Sequence, residues 1–309
     1  MTATSPIIAL IGPTGVGKTA LALALARRWG AEIVGADASQ IYRGLDIGTG
    51  KVAPDELGEL RHHLIDVAAP DESFDAAAYV RLAEPALAEI RGRGHHALLC
   101  GGTGLYIRAL VDGLCEAPPV APDVRAALLA RLAAGEARTL HDELATVDPE
   151  AAARIAPADH PRLERALGVY LTTLRSLTQW QRAGRDLGPR HDVRYLGLSL
   201  PRDVLRERIA GRTRAMFDAG LIDEVRGLEA AGHARTLRSL QALGYRQASA
   251  CLHGELTRSA AIEETIVATR QYAKRQETWF RAVPGVTWHD ARTPKDVLMA
   301  WVESQWGPP

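Results

Sequence analysis

Residues 12–19 read Gly12-Pro13-Thr14-Gly15-Val16-Gly17-Lys18-Thr19. This is the pattern G-x-x-x-x-G-K-[ST], and its neighbours are the ones it needs. A continuous apolar run fills 7–11, and Ala and Leu recur at helical spacing over 19–29. A strand running through such a loop into a helix turns successive backbone N–H groups toward one point. The helix N-terminus adds a favourable dipole for an anion there. Lys18 then reaches a terminal phosphate and the Thr19 hydroxyl is available to Mg²⁺. Residues 12–19 therefore constrain the chain to begin with a β-loop-α unit that binds a phosphate chain.

The following pattern extends that unit. Short apolar runs at 32–36, 63–67 and 97–100 read as strands, and 74–91 has apolar residues three and four apart, as in a helix. Strands alternating with helices form a parallel sheet covered on both faces. At 117–122 the sequence Ala-Pro-Pro-Val-Ala-Pro breaks any regular element, because proline removes a donor and fixes φ. From 123 to 185 only helical periodicity appears, carried by Leu128, Leu132, Leu163, Leu167 and Leu171. After Gly188-Pro189 a strand returns at 195–200, helices follow to 281, and a short strand fits near 286–288. The predicted architecture is α/β: a P-loop NTPase-like parallel sheet flanked by helices. Residues 1–117 and 190–309 form its core, and 118–189 form an all-helical insertion.

Nothing obliges the bound phosphates to be those of a nucleoside triphosphate. Strand 97–100 runs into Gly101-Gly102-Thr103-Gly104, with no acid to support Mg²⁺. Asp66 closes an early strand but suits a helix cap or turn equally well. Asp37, directly after the second strand, lies where ligands sit in open α/β sheets, at the carboxyl ends of the strands. It can serve there as a general base, hold Mg²⁺ through water, or cap a helix.

Composition narrows the partners. The 37 basic and 37 acidic residues cancel, which excludes a globally basic nucleic-acid coat, while 16 Lys/Arg against 11 Asp/Glu over 190–281 leaves room for a local basic face. Tyr245, Tyr272 and Trp279 lie in that stretch and suit either core packing or stacking on bases. Nearly all basic residues are arginine, with lysine only at 18, 51, 274 and 295; genomic base composition accounts for that scarcity, and a position that stays lysine also suits a compact ammonium rather than a planar fork. Three scattered cysteines form no disulfide framework or C-x-x-C pair. No signal peptide and no apolar run long enough to span a membrane is visible, so a soluble cytoplasmic protein without a membrane partner is expected.

Several motifs together resemble the tRNA dimethylallyltransferases (tRNA isopentenyltransferases). After the phosphate loop come Asp37-Ala38-Ser39-Gln40-Ile41-Tyr42, Asp46-Ile47-Gly48-Thr49, His63-Leu64-Ile65-Asp66 and Gly101-Gly102-Thr103-Gly104-Leu105-Tyr106. Asp148-Pro149, Pro161-Arg162-Leu163-Glu164-Arg165-Ala166, Gly244-Tyr245-Arg246-Gln247 and Thr269-Arg270-Gln271-Tyr272-Ala273-Lys274-Arg275-Gln276 with Trp279 complete the set. The resemblance runs in order from the loop to about residue 281; the last ~25 residues carry no assigned motif.

It implies transfer of a dimethylallyl group from dimethylallyl diphosphate to N6 of adenine 37 in a tRNA anticodon loop, by a monomer using Mg²⁺. Asp37 becomes the base, Thr14 and Lys18 act on the diphosphate side, and Arg212 joins the loop residues in binding the diphosphate. Arg208, four residues before Arg212 on one helix face, is either a second anion contact or a surface charge. The resemblance further assigns tRNA contacts to Asp37, Ala38, Ser39, Gln40, Thr103 and Arg125. It adds Pro161, Arg162, Leu163, Glu164 and Arg165, then Ala242, Leu243, Gly244, Tyr245, Arg246 and Gln247, and finally Lys274, Arg275, Gln276, Trp279 and Arg281. A missing strand-end acid fits a diphosphate donor.

Three rival readings follow from the same residues. A small-molecule kinase shares the loop but needs ATP and leaves the Gly-Tyr-Arg-Gln and Lys-Arg-Gln segments unexplained. A prenyltransferase acting on free adenine nucleotides has no use for the insertion. A non-enzymatic RNA-binding scaffold has no use for intact Lys18, Thr19 and Asp37.

Overall fold

The computed structural model describes residues 5–113, 117–185, 188–237 and 239–309; Cys115 lies outside them. Six strands form one parallel sheet: β1 (Ile7–Ile11), β2 (Glu32–Gly35), β3 (His62–His63), β4 (Ala97–Cys100), β5 (Val193–Ser199) and β6 (Val286–Asp290), in the order β3-β2-β4-β1-β5-β6. Every residue of β1 and β2 is buried, as a strand covered on both faces requires. Helices α1 (Lys18–Trp29), α2 (Pro54–Leu57), α3 (Ala76–Gly92) and α4 (Gly104–Val111) accompany the first four strands. A helical unit, α5 (Pro122–Ala133), α6 (Ala137–Val147), α7 (Pro149–Arg154), α8 (His160–Thr173) and α9 (Leu177–Arg185), precedes β5. Then come α10 (Arg202–Asp218), α11 (Leu221–Ala230), α12 (Tyr245–Leu252), α13 (Arg258–Arg281) and α14 (Lys295–Trp306).

The chain divides into two compact units, Met1–Val111 with His191–Pro309, and Asp112–Arg190. The second begins six residues before and ends one residue after the expected 118–189. Its core is leucine-rich (Leu128, Leu132, Leu140, Leu144, Leu163 and Leu167), so Leu163 packs inside and is no RNA contact. Asp148, 3% exposed, accepts from Ala151 N–H at 3.1 Å and Thr178 N–H at 3.0 Å, fastening the start of α7 to α9. The Asp148-Pro149 motif is therefore a helix cap.

Two sequence expectations change in the sheet. The apolar run at 63–67 is not a strand: β3 ends at His63, and Leu64 and Asp66 have φ of 61° and 57°. Asp66 is held in that turn by Lys51 Nζ at 2.5 Å and by its own N–H on Gln40 O at 3.2 Å. It is a turn residue, with no strand-end role. The motif-free C-terminus is structural. β6 pairs with β5, and α14 sends Trp306 into the core, where its indole donates to Pro6 O at 2.8 Å and its rings stack on His96.

Because all strands are parallel, the ends of β1, β2 and β4 open at one edge. There β1 enters Gly12 with φ +143°, and a Cβ at this position would sit 2.5 Å from Leu198 O of β5. Only glycine lets the phosphate loop leave the sheet so close to its neighbour. The same edge presents Asp37 after β2 and Gly101–Thr103 after β4.

Candidate functional site

The phosphate loop is built from inside out. Val16 is fully buried in the core, which explains an apolar residue at this loop position. Among the described residues, the N–H groups of Gly15, Gly17, Lys18 and Thr19 have no protein acceptor, and they surround the α1 N-terminus. Such a cluster of donors is an anion site. Lys18 Nζ donates to Gly12 O at 2.8 Å and Pro13 O at 2.9 Å. Burial pushes its ammonium down to about 8, against the opposing pull of Asp37. The same burial pushes the neighbouring Cys100 thiol up to about 11.

Two arginines of α10 divide the work around the loop. Arg208 donates to Val16 O at 3.3 Å and braces the loop from outside. One turn on, Arg212 reaches Thr14 Oγ1 at 3.1 Å and Thr49 O at 3.0 Å, lining the cavity. The ambiguity over Arg208 thus resolves into a brace.

Asp37 caps a tight turn with no helix behind it. Its Oδ1 accepts from Ser39 N–H at 2.9 Å and Gln40 N–H at 3.4 Å. Thr103 anchors the turn through Ala38 N–H to its Oγ1 at 2.9 Å, and its own N–H donates to Ala36 O at 3.0 Å. Gln40 faces its own chain, donating to Thr49 O at 3.1 Å and Gly50 O at 3.3 Å. Between the Asp37 turn and the phosphate loop lies a cavity of about 620 Å³. Its lining also includes Leu23, Ile33, Val52 and His62, whose imidazole burial pushes down to about 4. One cavity thus offers anion donors, a carboxylate and apolar side chains.

The comparisons with known proteins agree with this geometry. The sequence profile of the IPP transferase family matches residues 40–283, and that of the ATPase family associated with various cellular activities matches residues 8–67, around the phosphate loop. The tRNA dimethylallyltransferase of Myxococcus xanthus is 46% identical over 91% of this chain and 91% of its own length. That of Syntrophobacter fumaroxidans is 45% identical over 93% of this chain and 84% of its own. The crystal structure of the full-length tRNA isopentenylpyrophosphate transferase from Bacillus halodurans is 37% identical, with a TM-score of 0.72, covering 97% of this chain and 95% of that one. The chain belongs to the IPP transferase family.

Several residues expected at the RNA surface of this IPP transferase instead build its frame. Tyr245 is fully buried, its hydroxyl donating to Glu224 Oε1 at 2.6 Å, and Gln247, 2% exposed, accepts from Gly244 N–H at 3.1 Å. Gln276, 5% exposed, turns inward to the phosphate loop. Arg165 donates to Pro118 O at 2.9 Å and Ala117 O at 3.1 Å, so its guanidinium is committed to its own chain. Glu164 is buried, with Arg125 at 3.6 Å. Arg162 is exposed and pairs with Asp159 at 2.8 Å. Pro161, Arg246, Lys274 and Arg281 are exposed, Arg108 lies over Trp279, and Ala242, Leu243, Gly244 and Arg275 line the cavity.

Two residues of the IPP transferase site escaped the sequence reading. Glu224 accepts from Ile47 N–H at 2.8 Å, Gly48 N–H at 3.4 Å and the Tyr245 hydroxyl, holding the 45–50 loop at the cavity rim. Nothing in its helical stretch distinguishes it. Lys51 donates to Tyr42 O at 2.7 Å, Asp46 Oδ1 at 2.6 Å and Asp66 Oδ1 at 2.5 Å. A tetrahedral ammonium suits three converging acceptors, so the rarity of lysine was the available signal.

Proposed function

We propose that this IPP transferase moves a dimethylallyl group from dimethylallyl diphosphate to N6 of adenine 37 in a tRNA anticodon loop, working as a monomer in the cytoplasm. The observation that carries the reading is one cavity with unpaired loop amides, Lys18 and Arg212 on one side and the Asp37 carboxylate on the other. The allylic C–O bond breaks as the C–N bond forms. Negative charge grows on the departing diphosphate, where fixed N–H groups, Lys18 and Arg212 stabilise the transition state more than the ground state. The N6 lone pair is delocalised into the adenine ring, so loss of the N6 proton must accompany attack; Asp37 accepts it. The products are N6-(dimethylallyl)adenosine and diphosphate. The target base leaves its stack to enter the cavity, at a cost of a few kcal/mol. Exposed Arg125, Arg162, Arg246, Lys274 and Arg281 are suited to holding the phosphate backbone while it does.

The residues also fit Mg²⁺. That ion keeps several waters and takes few protein oxygens, which Thr19 and, through water, Asp37 can supply at the cavity. Among the described residues no group of three His, Cys, Asp or Glu forms a ready cation cage, consistent with an ion that arrives on the diphosphate. Bound there it would neutralise leaving-group charge.

The test uses labelled dimethylallyl diphosphate with an unmodified anticodon stem-loop, with free AMP, and with or without ATP. Label should enter the stem-loop alone, without ATP, and inorganic diphosphate should compete with the donor. Strict ATP dependence would move the protein to the kinases. Equal transfer to AMP would make the acceptor a free nucleotide.

A further inference from the structure

One face of α13 joins the two halves of the cavity. Gln276 Oε1 accepts from Thr14 N–H at 2.8 Å, and its Nε2 donates to Gly102 O at 2.9 Å. The partners lie 262 and 174 residues away in sequence. Both amide atoms are therefore used inside the protein, and the side chain is 5% exposed. A Cβ on residue 102 would stand 2.1 Å from Gln276 Nε2, so glycine there is what allows the approach. One turn earlier, Tyr272 lines the cavity.

These contacts close a circuit. From Asp37 the chain of bonds passes through Ala38 to Thr103, along the backbone to Gly102, and through Gln276 to Thr14. It continues through Arg212 to Thr49, and through Gln40 back to Asp37. Thr14 belongs to the donor side and Asp37 to the acceptor side. The β1–β4 and β4–β2 ladders set the spacing of the strands, and beyond the strand ends Gln276 and Thr103 tie the loops together.

We propose that Gln276 is a positioning residue for prenyl transfer: it orients Thr14 and fixes the phosphate loop against the turn that carries Asp37. The inference rests on the transferase reading above. In that reaction the diphosphate-bearing carbon and the base must approach along one line, and a displacement of about 1 Å can cost 10²-fold in rate. Gln276 would act on alignment through Thr14, and contacts neither RNA nor the reacting atoms.

The test is Gln276→Met, which keeps the volume and removes both hydrogen bonds, assayed with the full chain on dimethylallyl diphosphate and an anticodon stem-loop. The single-turnover rate at saturation should fall about 10- to 100-fold, with the KM for each substrate within about threefold of wild type. An unchanged saturated rate with a raised KM for RNA would overturn the proposal and make Gln276 an RNA contact. Should Gln276→Met fail to fold, Gln276→Asn decides: the shorter side chain stays polar but cannot span Thr14 and Gly102, so the saturated rate should fall about three- to tenfold at unchanged KM, and no change overturns the proposal. A wild-type enzyme that transfers nothing overturns the transferase reading and this inference together. An active wild type with an unaffected Gln276→Met variant overturns the positioning role alone.

Discussion

Asp37→Asn separates the two duties of this carboxylate. The turn uses Oδ1, which accepts from Ser39 and Gln40 N–H. An asparagine carbonyl oxygen accepts the same two bonds, so folding stability should stay within about 0.5 kcal/mol of wild type. Asp37→Ala removes both bonds; with one at 2.9 Å and the other long at 3.4 Å, the loss should be about 1–2 kcal/mol. Both variants lack the base, so single-turnover transfer should fall by about 10²–10⁴-fold in each. A second effect must be subtracted. Asp37 helps keep Lys18 protonated, and with Lys18 at about 8 the ammonium is about nine-tenths formed at pH 7. Neutralising Asp37 removes a charge that favours this ammonium, so the accompanying fall in diphosphate affinity is measured apart from the loss of rate. The assay is rapid-quench transfer at saturating donor and stem-loop, beside diphosphate titration and thermal melts. An Asp37→Asn rate within threefold of wild type would refute the base assignment. An equal fall in diphosphate affinity would place Asp37 on the donor side.

Three further outcomes are expected. Diphosphate affinity of the wild-type enzyme should fall as pH rises through about 8, because the Lys18 ammonium deprotonates there; titration calorimetry between pH 7 and 9.5 checks it, and a flat profile contradicts a role for Lys18 in anion binding. Glu32 is 3% exposed; although burial alone would raise its carboxyl, hydrogen bonds from Arg93, His63 and His95 hold it down to about 2. Its contribution to stability is therefore complete above the ordinary value of 4.5 and lost as pH falls toward 2; Glu32→Gln should cost about 3–5 kcal/mol at pH 7 in a denaturant melt. Arg162→Ala should lower the salt slope of stem-loop binding by about one unit, whereas Arg165→Ala, which frees the carbonyls of Ala117 and Pro118, should appear in the melting curve and leave that slope alone.

What the chain states locally was legible from its letters. Glycine spacing between an apolar run and a helix marks a phosphate loop, because the amides that bind the anion lie within eight consecutive residues. Alternating strands and helices imply a parallel sheet, and the proline-flanked helical stretch implies a separate unit. Strand order, and with it the cavity, required the tertiary structure: Asp37, Thr103, Thr14 and Gln276 meet only because β2, β4 and β1 end side by side. The same limit explains the residues read as RNA contacts. Tyr245, Gln247, Gln276 and Arg165 are polar and sit in motifs, but a motif does not say which way a side chain points. Tyr245, Arg165 and Gln276 are turned inward by partners 21, 47 and 262 residues away, whereas Gln247 closes back on the Gly244 N–H three residues before it. The apolar run at 63–67 failed as a strand for a related reason. Lys51, itself fixed by Tyr42 and Asp46, draws Asp66 into a left-handed turn, and this pull from elsewhere in the chain outweighs the local preference of Leu64 and Ile65 for extended backbone.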